Sequence, residues 1–595
     1  MVGKWNFKRK NKEYGGNTTM IQLGKRISWK AFLGSVFFII IQVFAELNLP
    51  NMTSNIINEG IAKGNIGYIW RTGFIMLLLT LVTITAAIIS VYISAKEAQR
   101  IGREVRGDIY QKVINLSRDK IDTVGTASLI TRTTNDVEQI QMVVMMFLRL
   151  MMFAPIMGIG AAVLSYSKSP SLSRVFFISI PVLITLLSIV MLSAIPLFKK
   201  IQKKTDRLNL IFREGLTGVR VIRAFNKSTY EEERFSEANE SFKKNNIKAF
   251  SIVTLLNPLM TLVLSGTNIA IIWMGGQFIS VGNLSVGDLV AFINYSFLLL
   301  FSFLMTTMVL TMIPRAQVSA NRINDVLAME STIQDGKTSF SEVRSQKLRS
   351  KLEFKQVSYR FLGAELDTVK DVNFEVKAGQ TLAIIGGTGS GKTTIGNLIM
   401  RFYDPTKGSV MLNDVNLTDL KQHTIRESVG YVPQKANLFS GTIRENIQFG
   451  KKNATDEEIW KALDTAQAKD FVSKMEEGLD SRVEQGGSNF SGGQKQRLCI
   501  ARAIIKNPEV YLFDDSFSAL DFKTDAALRK QLKSETGDAI VVIIAQRIST
   551  IMDADVIVVL DSGNVVGRGT HEELKASNVT YQEILESQFK EGEGE

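Results

Sequence analysis

The sequence has very little cysteine and histidine. Cys499 is the only cysteine among 595 residues, and His423 and His571 are the only histidines. A single cysteine excludes an intrachain disulfide, and no cluster of residues has the pattern of a metal centre. We interpret Cys499 as a small core residue. Residues 1–18 are polar and basic and have no apolar core, so no cleavable signal peptide is expected.

The charge pattern favours a membrane protein over a nucleic-acid-binding protein. The formal net charge is +12, and 45% of the residues are hydrophobic. An excess of Lys and Arg can indicate nucleic-acid binding. Here, however, the basic residues flank apolar segments on one side, as the positive-inside rule describes. We therefore expect membrane lipid around part of the chain and no nucleic-acid partner.

Long apolar segments are concentrated in the first half of the chain. Six of them reach the roughly 20 residues that a helix needs to cross the hydrocarbon core of a bilayer. Four contain no charged residue, which is rare for helices of soluble proteins. They predict a membrane α-helical domain with six transmembrane helices over residues 31–50, 73–95, 142–166, 175–198, 250–279 and 289–314.

The segments that join these spans differ in length and charge. Residues 96–141 and 199–249 are long, basic and helical in pattern, whereas the other joining segments are short with few basic residues. Because basic loops stay in the cytoplasm, we predict long cytoplasmic extensions of the membrane helices. Lys8–Lys10 and both termini are then expected in the cytoplasm. The expected location of the protein is the plasma membrane.

Two ionisable residues, Glu46 and Arg149, lie inside predicted spans. Charges at this depth are costly and usually face protein or a water-filled cavity. They could line a cavity or hold helices together, or they could contact a substrate directly. The first interpretation is favoured.

From residue 351 the pattern changes to short strands that alternate with helices, which is typical of an α/β domain. We predict a transmembrane domain over residues 1–324, a polar linker over 325–350 and a nucleotide-binding domain over 351–595. Residues 352–361 and 372–379 alternate like antiparallel strands. Leu382–Ile385 is predicted to be a buried strand.

That buried strand runs into a glycine-rich loop with the P-loop pattern G-x-x-x-x-G-K-[ST]. In such a loop the backbone N–H groups surround phosphates, Lys392 can reach the β- and γ-phosphates, and Thr393 can ligate Mg²⁺. The sequence therefore predicts ATP and Mg²⁺ as cofactors. The predicted phosphate-binding residues are Gly387, Thr388, Gly389, Ser390, Gly391, Lys392, Thr393 and Thr394.

A second stretch, residues 490–521, has a glycine-rich turn, an amphipathic helix and an apolar strand that ends in two aspartates. Carboxylates at the carboxyl end of a strand suit a metal–nucleotide site. With the P-loop, these motifs resemble an ABC exporter half-transporter of the multidrug-resistance-like fold, over about the whole chain from the first span onward. The resemblance implies an α/β P-loop ATP-binding cassette fused to the membrane domain.

The resemblance implies roles for further residues. Phe361 falls where an aromatic ring stacks on adenine, with Tyr359 as the alternative. Gln434 falls at the Q-loop position, which senses Mg²⁺ or the γ-phosphate, and Asp521 closes the D-loop. The implied metal-binding residues are Thr393, Gln434 and Asp514. The implied signature residues, which would contact the ATP of a second cassette, are Ser491, Gly492, Gly493 and Gln494.

Two loops of the first half also resemble the family. Residues 215–226 are similar to the second intracellular loop of ABC exporters. Residues 125–136 lie where the coupling helix of the first loop would be. Both could be solvated helical turns, but beside a downstream cassette a coupling role is favoured.

Two catalytic positions depart from the family pattern, because Asp515 replaces a glutamate and Gln546 replaces a switch histidine. Aspartate is one methylene shorter, so its carboxylate ends roughly 1.5 Å short of the attacking water. A misplacement near 1 Å can cost about a hundredfold in rate. Glutamine can donate to a γ-phosphate but cannot carry positive charge. We expect this chain to bind Mg-ATP well and to hydrolyse it slowly.

The resemblance implies that two cassettes enclose two ATP molecules head to tail. Because the signature is intact, the chain could complete the site of a partner, a second half-transporter with Glu and His at the two positions. The expected function is ATP-driven export of amphipathic or apolar small molecules, as in multidrug transporters. Two alternatives stay open: a lipid flippase or importer of the same fold, and a membrane regulator that binds ATP without hydrolysing it.

Overall fold

The computed structural model describes residues 26–338 and 350–592. Contacts divide the chain into two compact units. The first comprises the residues up to Ile114 and Val124–Met329, and the second comprises Asn115–Thr123 and the residues from Glu330 onward. The predictions for Lys8–Lys10, for residues 339–349 of the linker and for residues 593–595 lie outside the described residues.

The first unit is built from long helices. Its described helices are α1 (Trp29–Asn55), α2 (Ile66–Ile114), α4 (Thr126–Thr131), α5 (Val137–Lys168), α6 (Arg174–Thr217), α7 (Val219–Ala224), α8 (Ser228–Thr254), α9 (Leu256–Ser280) and α10 (Val286–Ala328), and α3 (Arg118–Val124) connects α2 to α4. π-Helical turns follow α1 at Ile56–Ile61 and precede α5 at Arg132–Asp136.

Within residues 26–338 and 350–592, six helical stretches are long and apolar enough to cross a membrane, which confirms the predicted number of apolar helices. They are Trp29–Ile61, Ile66–Ile114, Thr126–Lys168, Arg174–Thr217, Ser228–Ser280 and Val286–Thr307. Some are far longer than a bilayer requires. Helix α2 has 49 residues, and at 1.5 Å per residue it reaches roughly 70 Å, against about 30 Å of hydrocarbon. The structure therefore contains the predicted helical extensions.

Helices α2, α5 and α10 share an apolar core along their extended portions. This core includes Ile101 and Val105 of α2, Leu148 of α5 and Ile323 of α10, all of which are buried. A polar group joins other helix ends, because Asp288 of α10 accepts hydrogen bonds from Ser54 of α1 (2.9 Å) and Lys168 of α5 (2.7 Å). The helices are thus packed by apolar faces and fastened at their ends by polar contacts.

The two ionisable residues inside the spans are both half-buried. Glu46 hydrogen-bonds the side chain of Gln42, which lies one turn earlier on the same helix. Neither the burial of Glu46 and Arg149 nor this contact separates a helix-pairing role from a substrate-contacting role, so their function stays a prediction.

The second unit contains two main sheets among its described residues. In one, four strands follow the order β2-β1-β4-β5, and in the other, six strands follow the order β12-β11-β3-β10-β9-β6. The strands are β1 (Lys351–Tyr359), β2 (Val369–Lys377), β3 (Thr381–Gly386), β4 (Lys407–Leu412), β5 (Val415–Asn416), β6 (Val429–Val432), β7 (Gly441–Thr442), β8 (Arg482–Val483), β9 (Val510–Asp514), β10 (Ile540–Ile544), β11 (Val556–Asp561) and β12 (Asn564–Gly569). Strands β1 and β2 pair antiparallel, as predicted.

Helices cover these sheets and complete the α/β domain. Those described are α11 (Lys392–Ile399), α12 (Gln422–Ser428), α13 (Ile443–Gln448), α14 (Asp456–Thr465), α15 (Lys469–Val472), α16 (Gly492–Ile504), α17 (Phe522–Glu535), α18 (His571–Ser577) and α19 (Val579–Gly592). Cys499 on α16 is buried in the core, as predicted.

The register of the parallel strands brings three loops to one edge of the six-stranded sheet. Strand β10 lies between β3 and β9, and Ile544 is level with Ile384 of β3 and with Asp514 of β9. The segments that follow these strands are the P-loop, the Asp514–Asp515 pair and the segment with Gln546. Ligands bind outside the carboxyl ends of strands in sheets of this kind, so this edge is the candidate site.

Two segments of the chain belong to the second unit although they lie outside residues 351–595. Asn115–Thr123 is one, and Thr332 hydrogen-bonds Ser117 and Asp119 of that segment at 3.0–3.2 Å. Residues 125–136, where we predicted the coupling helix, belong to the first unit, and their coupling role stays a prediction. The other segment is the described part of the predicted linker from Glu330 onward, where Thr338 forms a β-bridge with Leu420, whereas residues 325–329 belong to the first unit and α10 extends to Ala328.

Candidate nucleotide site

The P-loop connects β3 to α11 and depends on glycine at two positions. Gly389 has φ +82° and Gly391 has φ +97°, a region that favours glycine. A Cβ at Gly391 would lie 2.5 Å from a methyl carbon of Val369, whereas a Cβ at Gly387 would have no neighbour within 4 Å. The loop is thus packed on its inner side and open on its outer side. An open glycine-rich loop before a helix suits a phosphate.

Two side chains of the loop, those of Lys392 and Ser390, can donate hydrogen bonds to an anion. Lys392 donates from Nζ to the carbonyl oxygens of Gly386 and Gly387, at 2.7 Å each. Burial lowers the pKa of Lys392, while Asp515 and Asp514 act in the opposite direction. The Ser390 hydroxyl is buried and has no hydrogen-bond partner among the described residues. An unpaired buried donor costs free energy, and a phosphate oxygen would satisfy it.

Thr393 and Asp514 supply the oxygen atoms that a Mg²⁺ ion prefers. The Thr393 hydroxyl lies 3.3 Å from Oδ1 of Asp514. The pKa of Asp514 is raised to about 6: burial is the largest cause and Asp515 adds to it, while the hydrogen bond from Thr393 and the charge of Lys392 act in the opposite direction. A divalent cation would favour the ionised carboxylate. The donor set therefore fits Mg-ATP, in which the ion neutralises charge on the phosphates.

Asp515 is the residue that joins the loops of the site. Its Oδ2 accepts from Nε2 of Gln434 at 3.1 Å and from Nε2 of Gln546 at 2.8 Å. Asp515 is buried, and both glutamines are exposed at the site. Of the three predicted metal ligands, Thr393 and Asp514 bond each other, whereas the amide of Gln434 bonds Asp515. One carboxylate oxygen of Asp515 is thus occupied by two amide donors.

The backbone around Asp515 is held in an uncommon conformation. Its φ is +48°, in the left-handed region, which few non-glycine residues adopt. Its N–H donates to the carbonyl of Ile544 at 2.8 Å, and the Ser518 hydroxyl donates to its carbonyl at 2.9 Å. Backbone strain of this kind persists where surrounding structure fixes it, often at active sites.

The aromatic residues predicted to face adenine form a cluster of three rings. Tyr359 is buried and stacks on Tyr403, with centroids 5.1 Å apart. Phe361 contacts both rings edge-on and is 40% exposed. The structure favours Phe361 over Tyr359 as the ring available for stacking, because Tyr359 already has a ring on its face.

The predicted signature residues form the N-terminus of α16. Ser491 is the N-cap, and a reciprocal capping box joins it to Gln494: Oγ of Ser491 accepts from the Gln494 N–H, and Oε1 of Gln494 accepts from the Ser491 N–H. Gly492 and Gly493 form the first turn. Such a helix start favours an anion through its free N–H groups. The signature is thus preformed within this chain.

The D-loop ends at the start of α17, where Asp521 is the N-cap. Its carboxylate accepts from the N–H and the hydroxyl of Thr524, at 2.9 and 2.8 Å. These two hydrogen bonds lower the pKa of Asp521, and the bond from the backbone N–H of Thr524 has the larger effect. Asp521 is therefore an ionised, exposed residue that fixes the direction of the loop.

Sequence reasoning missed three residues that support the loop around Gln546. The Thr550 hydroxyl lies 3.4 Å from Oδ2 of the buried Asp525 on α17. Gln588 on α19 bonds the backbone of Gln546 and of Ile548. No motif marks these residues, and only the fold brings them to the loop.

Comparison with protein families shows two matching regions. Residues 32–303 match the ABC transporter transmembrane region, and residues 369–518 match the ABC transporter model. The second region includes the P-loop, the signature and Asp514–Asp515 and ends before Gln546.

Several known proteins are similar over most of the chain. An uncharacterized ABC transporter ATP-binding protein of Mycobacterium tuberculosis is 36% identical, over 92% of this chain and 94% of its own length. A probable multidrug resistance ABC transporter ATP-binding/permease protein of Bacillus subtilis is 34% identical over 66% of each. The solved structure of a bacterial Atm1-family ABC exporter with ATP bound superposes on this chain with a TM-score of 0.78, over 94% of this chain and 98% of the exporter chain. The two sequences are 22% identical, so the similarity shows a shared fold.

Proposed function

The chain belongs to the ABC transporter family, and from this membership we propose that it is one subunit of a heterodimeric exporter. The complex uses ATP to move amphipathic or apolar compounds across the plasma membrane. In this proposal the six apolar helices form part of the translocation path, and both termini lie in the cytoplasm. This chain binds Mg-ATP tightly, hydrolyses it slowly and completes the faster site of its partner.

The geometry of Asp515 carries the proposal. Its carboxylate is one methylene shorter than the family's glutamate, and Oδ2 accepts from the amides of both Gln434 and Gln546. The shorter side chain ends roughly 1.5 Å farther from an attacking water than a glutamate would, and a misplacement of about 1 Å can cost about a hundredfold in rate. Gln546 cannot become a cation, so it lacks the charge that a histidine could supply during phosphoryl transfer. Slow hydrolysis follows from both differences.

The binding elements support the other half of the proposal. Gly389, Gly391, Lys392 and Thr393 have the conformations and contacts of a phosphate-binding loop. The capping box of Ser491 gives a signature that is ready to contact a second ATP. A chain with intact binding elements and altered catalytic residues is suited to a complex with one slow and one fast site. The partner then has Glu and His at the positions of Asp515 and Gln546.

The substrate class rests on the similarity to proteins of the family. The Bacillus subtilis relative is described as a probable multidrug resistance protein. The half-buried methionines of α5, such as Met151 and Met152, are flexible side chains that can adapt to varied apolar ligands. We therefore propose amphipathic or apolar small molecules as the transported compounds.

The test is reconstitution of the chain in lipid with a second half-transporter that has the Glu and His residues. We expect the complex to hydrolyse ATP, and we expect hydrolysis to be lost on replacing the partner's glutamate with glutamine. Ser491→Arg in this chain should lower turnover as strongly, because it blocks the signature that serves the partner's ATP.

Other outcomes would identify a different function. Full activity of this chain as a homodimer would contradict the heterodimer proposal. ATP binding without hydrolysis under any condition would indicate a regulator. ATP-dependent movement of fluorescent phospholipid between leaflets, with no export of apolar dyes, would indicate a lipid flippase.

A further inference from the structure

The C-terminal helix α19 is fixed firmly to the second unit. Tyr581 is fully buried, and Ile584 and Leu585 pack against the same hydrophobic core. The Tyr581 hydroxyl lies 2.7 Å from Nδ1 of His571. Buried apolar contacts of this kind hold a helix in one position, so a side chain near the end of α19 has a defined direction.

Gln588, two turns after Tyr581, uses both ends of its amide on the loop that follows β10. Its Nε2 donates to the carbonyl oxygen of Gln546 at 2.7 Å, and its Oε1 accepts from the N–H of Ile548 at 2.9 Å. A primary amide has one acceptor and two donors, and here one side chain bridges two peptide groups. The bridge spans Arg547 and fixes the backbone on each side of it.

The bridged peptide group belongs to the residue whose side chain enters the site. Nε2 of Gln546 donates to Asp515 at 2.8 Å, so its reach depends on where its backbone is held. The far end of the loop is anchored separately, since Ile548 is buried and Thr550 bonds Asp525. At the near end, the N–H of Ala545 donates to the carbonyl oxygen of Ile384 at 3.1 Å, and the side chain of Gln588 fixes the next peptide group, that of Gln546.

We propose that Gln588 is a positioning residue for ATP turnover, which fixes the backbone at Gln546 so that its amide reaches Asp515 and the γ-phosphate. It acts through Gln546 and has no contact of its own with the reacting atoms. The consequence is that the C-terminal helix is part of the switch: displacement of α19 would loosen the loop. The proposal deepens the proposed function, and it rests on that function for the effect on turnover.

A matched pair of glutamines on α19 makes the proposal testable. Gln582 also bonds a backbone carbonyl, that of Lys575 at 2.7 Å, but it does not touch the loop. Methionine has nearly the length and helix propensity of glutamine but no amide. Gln588→Met removes two hydrogen bonds between a side chain and the backbone, Gln582→Met removes one from the same helix, and only the first substitution affects the loop at Gln546.

The first measurement is hydrogen–deuterium exchange of the full-length chain in lipid nanodiscs. In Gln588→Met we expect the amides of residues 546–551 to exchange on the order of tenfold faster, because two hydrogen bonds are lost. In Gln582→Met the exchange of these residues should equal that of the wild type. Equal exchange in the two variants, or general acceleration across the domain, would overturn the proposal.

The second measurement is single-turnover hydrolysis by the partnered complex, in which the partner's glutamate is replaced by glutamine, with protein in excess of radiolabelled ATP. Gln588→Met should slow hydrolysis about tenfold with ATP affinity unchanged, and it should have no further effect in a Gln546→Ala background. Effects that multiply in the double variant, or a loss of affinity equal to the loss of rate, would indicate a purely structural residue. Fast hydrolysis by the wild type would contradict the proposed function and leave the exchange measurement valid.

Discussion

Asp515 and Gln546 are best understood as a pair. A glutamine amide donates to a carboxylate without bringing charge, and the 2.8 Å distance between Nε2 and Oδ2 is that of a well-formed hydrogen bond. The two residues that differ from the family pattern therefore stabilise each other. A pair of this kind contains no positive charge, so it supplies little of the electrostatic stabilisation that phosphoryl transfer needs.

This pairing leads to a prediction for the reverse substitutions. Asp515→Glu together with Gln546→His should raise hydrolysis at this chain's own site by about a hundredfold, because carboxylate reach and positive charge are both restored. Single-turnover hydrolysis of ATP by the partnered complex, with the partner's glutamate replaced by glutamine, measures it. ATP affinity should change little, since the P-loop and Asp514 are untouched.

The two single substitutions provide the controls for this prediction. Asp515→Glu alone restores reach without charge, and Gln546→His alone restores charge while the base stays short. Each should give less than the double variant. If the double variant hydrolyses ATP no faster than the wild type, other features limit the site.

At the scale of elements, helix α16 has two roles at its first turn. The Ser491–Gln494 capping box satisfies backbone N–H groups that the helix leaves unpaired. The proposed function uses the same serine for the partner's ATP. Helix α14 has an equivalent capping box, formed by Thr455 and Glu458, with no proposed functional role. The two helices thus allow the structural and the functional role of a cap to be separated.

Ser491→Ala and Thr455→Ala should destabilise the domain to a similar extent. Loss of a cap costs about 1 kcal/mol, which corresponds to about 2–4 °C for a domain of this size. Thermal unfolding of the full-length chain checks this. Only Ser491→Ala should also slow turnover in the partnered complex, by about tenfold, because one hydrogen bond to a phosphate is lost. An equal loss of turnover in Thr455→Ala would contradict the role of the signature.

The elements that sequence patterns predicted are those with a strong local signal. The long apolar helices, the antiparallel pair β1–β2 and the strands Thr381–Gly386 and Val510–Asp514 follow from composition and periodicity. The contacts of Gln588 with Gln546 and Ile548 could not be predicted, since they join residues about 40 positions apart through one amide. The same applies to Asn115–Thr123, whose helical pattern does not show which unit it belongs to.

At the scale of the whole molecule, the distribution of charge predicts the orientation in the membrane. The segments between the second and third and between the fourth and fifth apolar stretches are long and basic, while the others are short. Basic segments stay on the cytoplasmic side. An orientation with residues 199–249 inside also places the P-loop in the compartment that contains ATP. Charge and chemistry therefore lead to the same orientation.

The single cysteine makes this orientation measurable. Cys499 is buried, and burial raises the pKa of its thiol, against the effects of Arg502 and of a hydrogen bond to Asn437. A buried thiol with a raised pKa reacts poorly with maleimides. Cysteines introduced at exposed positions of the wild-type chain should therefore be labelled against a low background.

Asn283, between α9 and α10, and Asn239 on α8 are both exposed and form a matched pair for this test. Asn283→Cys should react with a membrane-impermeant maleimide in intact cells, whereas Asn239→Cys should react only after the membrane is permeabilised. The opposite pattern would place the long basic segments outside and the nucleotide site away from cellular ATP. The stretch Ser228–Ser280, formed by α8 and α9, is the one candidate span between these two positions. If both cysteines were labelled in intact cells, this stretch would not cross the membrane.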